Sequence, residues 1–390
     1  MSAYVHTSDE AVAPPRRLKG RSLDSLQILR AFAASIVVMF HAAIIFGTAL
    51  YFPTGDALAL GFYHFFAFGH AGVDLFFVLS GFIIAHAHWN DDRSLAGFWH
   101  YVERRLTRIY PTTLLVVGFI LLFAPLLRWL AGDADFIQLE FWRVVASLTL
   151  LPVSCEHIPG ALWSLTNEMY FYTVFALFFI DKRLFLAALV LWTALVLGNM
   201  ALGFAPQLAV CGVSPLSMYN SMFILGVGSY FASQWMLARG WQKYTMAFLA
   251  AGLVIFAIAA AVDIYYWNVV YSGGGTPQPR LSKLITRGGY GVAAGFLVTG
   301  AALSGWQARA WLGMALRKIG DASFSIYVTH ELVLGIYVRQ FGRAADYDAT
   351  TGIGYYVLAV GLCLGIGTLM HQFVEKPVLA LVRGRQKIRS

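Results

Sequence analysis

The sequence predicts an all-α polytopic membrane protein of about ten transmembrane helices, and three observations carry that expectation. Of 390 residues, 59% are hydrophobic and only 12% are charged, whereas a soluble domain is about a quarter charged. The mean hydropathy is +0.66. Apolar stretches also follow one another along nearly the whole chain, at about 26–49, 70–88, 107–130, 161–180, 184–203, 215–236, 244–262, 286–304, 321–341 and 353–373. Each approaches the roughly 20 residues a membrane helix needs.

The first stretch sets the problem. Between Leu26 and Leu50 the only charged residue is Arg30, and His41 is the only other ionisable one. An ionisable group at membrane depth costs roughly 2.5–3.5 kcal/mol to insert, which marks both as functional candidates. Arg16, Arg17, Lys19 and Arg21 ahead of an apolar run imitate a signal peptide. The run is too long for one, and cleavage near Gly47-Thr48-Ala49 would discard His41. It therefore reads as an uncleaved helix. The expected division is a cytoplasmic tail 1–25, a transmembrane domain 26–373 and a basic cytoplasmic tail 374–390.

The net charge of +8 invites a nucleic-acid reading, but the basic residues are scattered among short loops and form no stripe. They follow the positive-inside rule instead. With the N-terminus inside, inner segments hold 20 Lys and Arg and outer segments seven. Both termini are then expected in the cytoplasm. Gly226-Val227-Gly228 and the glycines from Gly361 to Gly367 read as close helix contacts and not as a nucleotide loop. The Ser272–Pro279 stretch reads as a flexible outer connector. Cys155 and Cys211 fall on outer loops, where a disulfide and two unpaired thiols are both open; Cys363 falls in a span.

Four segments hold chemistry beyond hydrophobicity: Arg30 with His41; His70 to Phe82 with Asp74; Arg104 to Pro111; and Leu162 to Tyr172. At helical rise His41, Glu168 and Asp74 lie about 22, 20 and 24 Å from the inner face, so three ionisable groups on three helices reach one level. A carboxylate beside an imidazole would fix its tautomer and stabilise its cation. Ser164, Glu168 and Tyr172 share one helical stripe that could line a cavity with His41. Arg104, Arg105 and Arg108 are expected to begin a cytoplasmic helix, where guanidinium groups and free backbone amides together suit phosphate. His330, at about 12 Å, is expected to be too shallow to join His41.

These segments resemble the integral-membrane acyltransferase-3 family of bacterial O-acyltransferases. The resemblance runs through the Arg30–His41 spacing, Gly72 to Phe82, Arg105 to Pro111, Trp163 to Tyr172 and Ser323 to His330. It implies an acyl donor, usually acetyl-CoA, supplied from the cytoplasm, and a catalytic histidine that falls on His41. It also implies functional basic positions at Arg30, Arg105 and Arg108, and a polar motif position at Glu168. Some members carry a fused esterase-like domain after the membrane part. This sequence stops at Ser390, so transfer is expected at the membrane domain or through a separate periplasmic partner.

The combined expectation is an O-acetyltransferase acting on a hydroxyl of a surface polysaccharide or lipid-linked glycan. Arg30, Arg105, Arg108, Arg104 and Tyr110 would hold the donor, and Trp163, Ser164, Asn167 and Tyr172 the acceptor. His41 would be the base or acyl carrier, balanced by Glu168 and Asp74, with no metal. The rival is a proton-coupled flippase of a lipid-linked sugar, using His41 and Glu168 as a relay. Either would work in the lipid bilayer, which the resemblance implies is a bacterial inner membrane, as one copy or a homo-oligomer.

Overall fold

The computed structural model describes residues 23–46, 61, 64–154, 156–203, 213–273, 280–341 and 349–387. The basic N-terminal tail, Cys155 and Cys211 with their pairing, and residues 274–279 of the expected connector lie outside that set. Among the described residues all regular structure is helical. The main helices are α1 (Asp24–Phe46), α2 (Ala71–His88), α3 (Leu95–Ala131), α4 (Phe141–Thr149), α5 (Trp163–Ala176), α6 (Lys182–Leu202) and α7 (Tyr219–Ala238). They continue as α8 (Thr245–Gly273), α9 (Arg280–Ser304), α10 (Trp311–Asp321), α11 (Ser323–Phe341), α12 (Ala349–Met370), a π-helical turn His371–Glu375 and α13 (Lys376–Lys387).

Each expected span falls on a helix, and the chain is an all-α polytopic membrane protein. Among the described residues six segments are long and apolar enough to cross a bilayer: Asp24–Phe46, Phe66–His88, Leu95–Ala131, Lys182–Leu202, Trp241–Tyr266 and Thr351–Val382. Helix α5 has only 14 residues, about 21 Å at helical rise. Helix α11 includes Ser323, Ser325, Thr329, His330 and Glu331, which dilute its hydropathy. Helices α4 and α10 were not expected. Phe141, Trp142, Trp311 and Leu312 on them are exposed, the apolar face of a helix lying at a membrane surface.

Helix α3 also differs from expectation. It starts at Leu95, where Ser94 accepts a hydrogen bond from Gly97 N at 3.1 Å, and ends at Gly132 with φ 62°. Its 37 residues extend about 55 Å, well beyond a bilayer core of about 30 Å. Arg104, Arg105 and Arg108 therefore sit inside a continuous helix. Their amides belong to its ladder, so the expected free backbone donors are not there. Nothing between Leu95 and Arg108 breaks the helix, and Pro111 is accommodated within it.

Small residues decide how the helices meet. Helix α1 is the hub, touching α2, α9, α10, α11 and α12. A Cβ on Gly72 of α2 would run into the Ala33 carbonyl, and one on Gly320 of α10 into the Gln27 carbonyl. On its other side α2 meets α7 through Gly81, which lies against the Phe223 backbone, and Gly226, which lies against Val78 O. With neighbours on both faces, α2 is the most buried of the six spans, at 72%.

Gly320→Leu forces side-chain atoms against Gln27 backbone and should destabilise the protein by about 1–3 kcal/mol. A lowered melting midpoint in detergent would show it. Gly118→Ala, with open space around its Cβ, should melt like the unsubstituted protein.

Candidate functional site

At the end of the bundle holding Leu23 and Arg30, helices α1, α2, α3, α5, α11 and α13 enclose a cavity of about 1230 Å³. Arg30, Arg104, Arg105 and Arg108 line it together with Glu103, Glu168, His86 and His100. Four guanidinium groups thus face two carboxylates. Arg30 Nε donates to Ser323 Oγ at 3.2 Å. Arg105 lies about 6 Å from the rings of Tyr101 and Tyr172, and its Nη2 bonds His88 Nε2 at 3.0 Å. Because arginine only donates, His88 Nε2 accepts, and its Nδ1–H points to Asp91 Oδ2 at 2.7 Å. The buried Nε of Arg105 has no acceptor among the described residues.

The stripe of Ser164, Glu168 and Tyr172 does line a cavity, and it is this arginine cavity. Glu168 Oε1 accepts from the Ser80 hydroxyl and from Tyr172 OH, the latter at 2.7 Å. Among the described residues the carboxylate found beside His41 is a different one, Glu331.

His41 sits in its own cluster. Its Nδ1 is 3.0 Å from Val37 O and 3.2 Å from His330 Nε2, and the two imidazole rings are 4.9 Å apart. His41 Nε2 is 3.9 Å from Glu331 Oε1, with the two side chains 29% and 25% exposed, whereas His330 is fully buried. Glu331 is aimed by its other oxygen, which accepts the Ala161 N–H at 2.9 Å. Gly160 leaves room for this, since a Cβ there would stand 2.8 Å from Glu331 Oε2.

The expected shallowness of His330 is corrected, for a reason of register. Gly320 lies against Gln27 and Ser323 bonds Arg30, so α11 starts level with Arg30 and not with Leu26. That places His330 about 6 Å deeper than a count from its own helix start. The His41 ring meanwhile folds back toward Val37 O, one turn or about 5.4 Å lower. Val37 and His330 are each seven residues beyond the Arg30–Ser323 bond, and so stand at one level.

Cavity and cluster are neighbours. Phe76 and Tyr327 line the cavity and contact each other with ring centroids 5.9 Å apart. The His330 ring lies 5.7 Å behind Tyr327, its Nδ1 2.6 Å from the Tyr327 carbonyl. His41 is not among the residues described as lining the cavity. His41, His330 and Glu331 offer ligand atoms within 4.8 Å of one another, a spacing that suits a metal ion as well as proton transfer.

Other expected site residues are placed elsewhere. Asp74, fully buried, accepts from Arg287 Nη1 at 2.8 Å and does not balance His41. Arg287 lies within α9, where it bonds that carboxylate. His70 and Tyr290 bond Asp263 at 2.5 and 3.0 Å, and Phe40 separates the His70 ring from His41. Tyr110 donates to Thr149 O at 2.6 Å, tying α3 to α4 outside the cavity lining. Trp163 packs on Phe77 and Tyr219, and Asn167 donates back to Trp163 O at 3.3 Å. Of the four expected acceptor-binding residues only Ser164 and Tyr172 line a cavity. Glu331, which sequence reasoning missed, carried a signal: a carboxylate within the ninth apolar run.

The sequence model of a family described as an acyltransferase domain matches residues 23–371. The exopolysaccharide production protein ExoZ of Rhizobium meliloti is 28% identical over 83% of this chain and 93% of its own length. Acyltransferase MdmB of Streptomyces mycarofaciens is 25% identical over 96% of this chain and 95% of its own. The putative peptidoglycan O-acetyltransferase YrhL of Bacillus subtilis is 25% identical over 92% of this chain, which covers 55% of that protein. No solved structure matches.

The excess of guanidinium groups over carboxylates gives the cavity a positive lining, which predicts polyanion binding. Inorganic pyrophosphate should raise the melting midpoint of the purified protein, and salt should weaken the effect. Replacing Arg108 by Gln should weaken binding by about tenfold or more, the scale of one charged hydrogen bond. A midpoint indifferent to pyrophosphate would reject this.

Proposed function

The chain belongs to the acyltransferase family whose model spans residues 23–371, and from that premise we propose a multi-pass inner-membrane O-acetyltransferase with acetyl-CoA as donor. The acceptor is a hydroxyl of a surface polysaccharide or lipid-linked glycan. The observation that carries the reading is the arrangement of two centres, an arginine cavity and a His41–Glu331 pair, on either side of Tyr327.

In this reading Arg30, Arg105 and Arg108, with the more exposed Arg104, grip the donor's phosphates from the cytoplasmic side. The preponderance of Lys and Arg in the inner segments supports that orientation. A volume of about 1230 Å³ exceeds the roughly 300–1,000 Å³ of ordinary ligand pockets and suits a donor as large as a coenzyme A thioester. Glu168 offsets the mutual repulsion of the arginines before the anion binds, and Ser80 and Tyr172 hold Glu168. The acyl end reaches His41 once Tyr327 and Phe76 part.

His41 Nε2 takes the proton of the acceptor hydroxyl as its oxygen bonds to the thioester carbonyl carbon. The carbon–sulfur bond then breaks, and the sulfur leaves as a thiol with the proton that His41 returns. Between those steps His41 is a cation, and Glu331 stabilises it. The names of ExoZ and YrhL favour a carbohydrate acceptor. The acceptor reaches His41 from the periplasmic side, in this chain or through a separate partner.

Membranes with His41→Ala should transfer no acetyl group from labelled acetyl-CoA to glycan at matched expression. Glu331→Gln should lose about 10²-fold in kcat, within the range for acid–base groups. Full transfer by the His41→Ala form would overturn the mechanism. CoA should raise the melting midpoint of purified protein; no response would favour the flippase.

A further inference from the structure

Three hydrogen bonds around His41 leave one consistent arrangement of protons for the two neutral rings. His330 Nδ1 lies 2.6 Å from the Tyr327 carbonyl. A carbonyl only accepts, so His330 Nδ1 carries hydrogen. In the neutral ring His330 Nε2 is then a bare lone pair, and it points at His41 Nδ1 from 3.2 Å. His41 Nδ1 also faces the Val37 carbonyl at 3.0 Å. Two acceptors converge on that atom, so it too must carry hydrogen. The remaining nitrogen, His41 Nε2, is left bare, and it is the one facing Glu331.

We propose that His330 is the positioning residue that locks His41 in the tautomer with Nε2 free to accept the acceptor alcohol's proton. This rests on the reading of His41 as proton acceptor. Val37 alone does not suffice, because an exposed imidazole can turn away from an i−4 carbonyl. His330 cannot turn. It is fully buried, and its Nδ1 is held by the Tyr327 carbonyl. When His41 Nε2 gains the proton, the Nδ1–H becomes a stronger donor, and the neutral His330 lone pair accepts it without adding charge. His330 thus does for one face of the ring what Glu331 does for the other.

The test separates orientation from bulk packing. His330→Leu removes the acceptor, whereas His330→Gln restores a carbonyl at the reach of Nε2. In purified protein His330→Leu should lower kcat by about 100-fold or more, as expected when a catalytic histidine loses its tautomer control. The KM for acetyl-CoA should stay within about threefold, because the cavity is untouched. His330→Gln should return to within about tenfold of the unsubstituted kcat. Nitrogen-15 NMR of histidine-labelled protein in bilayers, assigned by difference with His41→Gln, should show His41 protonated at Nδ1 and bare at Nε2. Three results would overturn the proposal: a proton on Nε2 in the unsubstituted protein, unchanged kcat in His330→Leu, or a Gln form as inactive as Leu although both bind CoA. Activity lost to a chelator and restored by zinc would also overturn it, making His330 a metal ligand. Should His41→Ala prove active, the catalytic reading falls, and the NMR still decides whether His330 sets the tautomer.

Discussion

The contact of Gly320 with the Gln27 backbone governs the rest of the site. It lets α10 close directly on α1, and so fixes how far up α1 the next helix begins. Ser323 then meets Arg30, and His330 meets the folded-back ring of His41. A side chain at Gly320 would move α11 as a body, because a helix does not stretch to compensate. Two functional contacts, one in the arginine cavity and one at the histidine cluster, therefore share a single steric origin. Gly72 presses on Ala33 from another direction and carries Ser80 into the cavity on the same rigid element.

The membrane architecture was legible in the sequence because burial in lipid demands continuous apolar runs, which composition records directly. The boundaries of α2, α6 and α11 lie within two residues of expectation. The basic lining of the cavity was legible too, since Arg30 is costly within an apolar run and Arg104, Arg105 and Arg108 cluster in a way that suits phosphate. What was not legible is relative height. Depth counted from each helix's own start assumes that all helices start at one plane. Helix α11 starts higher, and the error placed His330 too shallow to join His41, while Glu331 beside it went unconsidered. Counting also could not tell which carboxylate meets which base. Asp74 and Glu168 stand near the right level, but Asp74 is taken by Arg287 and Glu168 by Ser80 and Tyr172.

The carboxylates divide by what neutralises them. Asp74 has a guanidinium and Asp263 an imidazole and a phenol, all on α2, α8, α9 or the turn before α2. Glu375 accepts from Ser325 and His371 where α12 passes into the π-helical turn. These groups take their partners from the protein itself. Glu168 also lines the arginine cavity and the Glu331 side chain is 25% exposed beside His41, and both belong to the proposed reaction.

The Asp74–Arg287 bond has a consequence for how the chain reaches its final state. Its partners lie 213 residues apart, so α2 enters the bilayer well before α9 has been synthesised. Until then the buried carboxylate stands alone, at roughly 2.5–3.5 kcal/mol by insertion measures. The arrival of α9 removes that cost. The favourable burial of an early helix thus depends on a guanidinium that the chain supplies only 213 residues later.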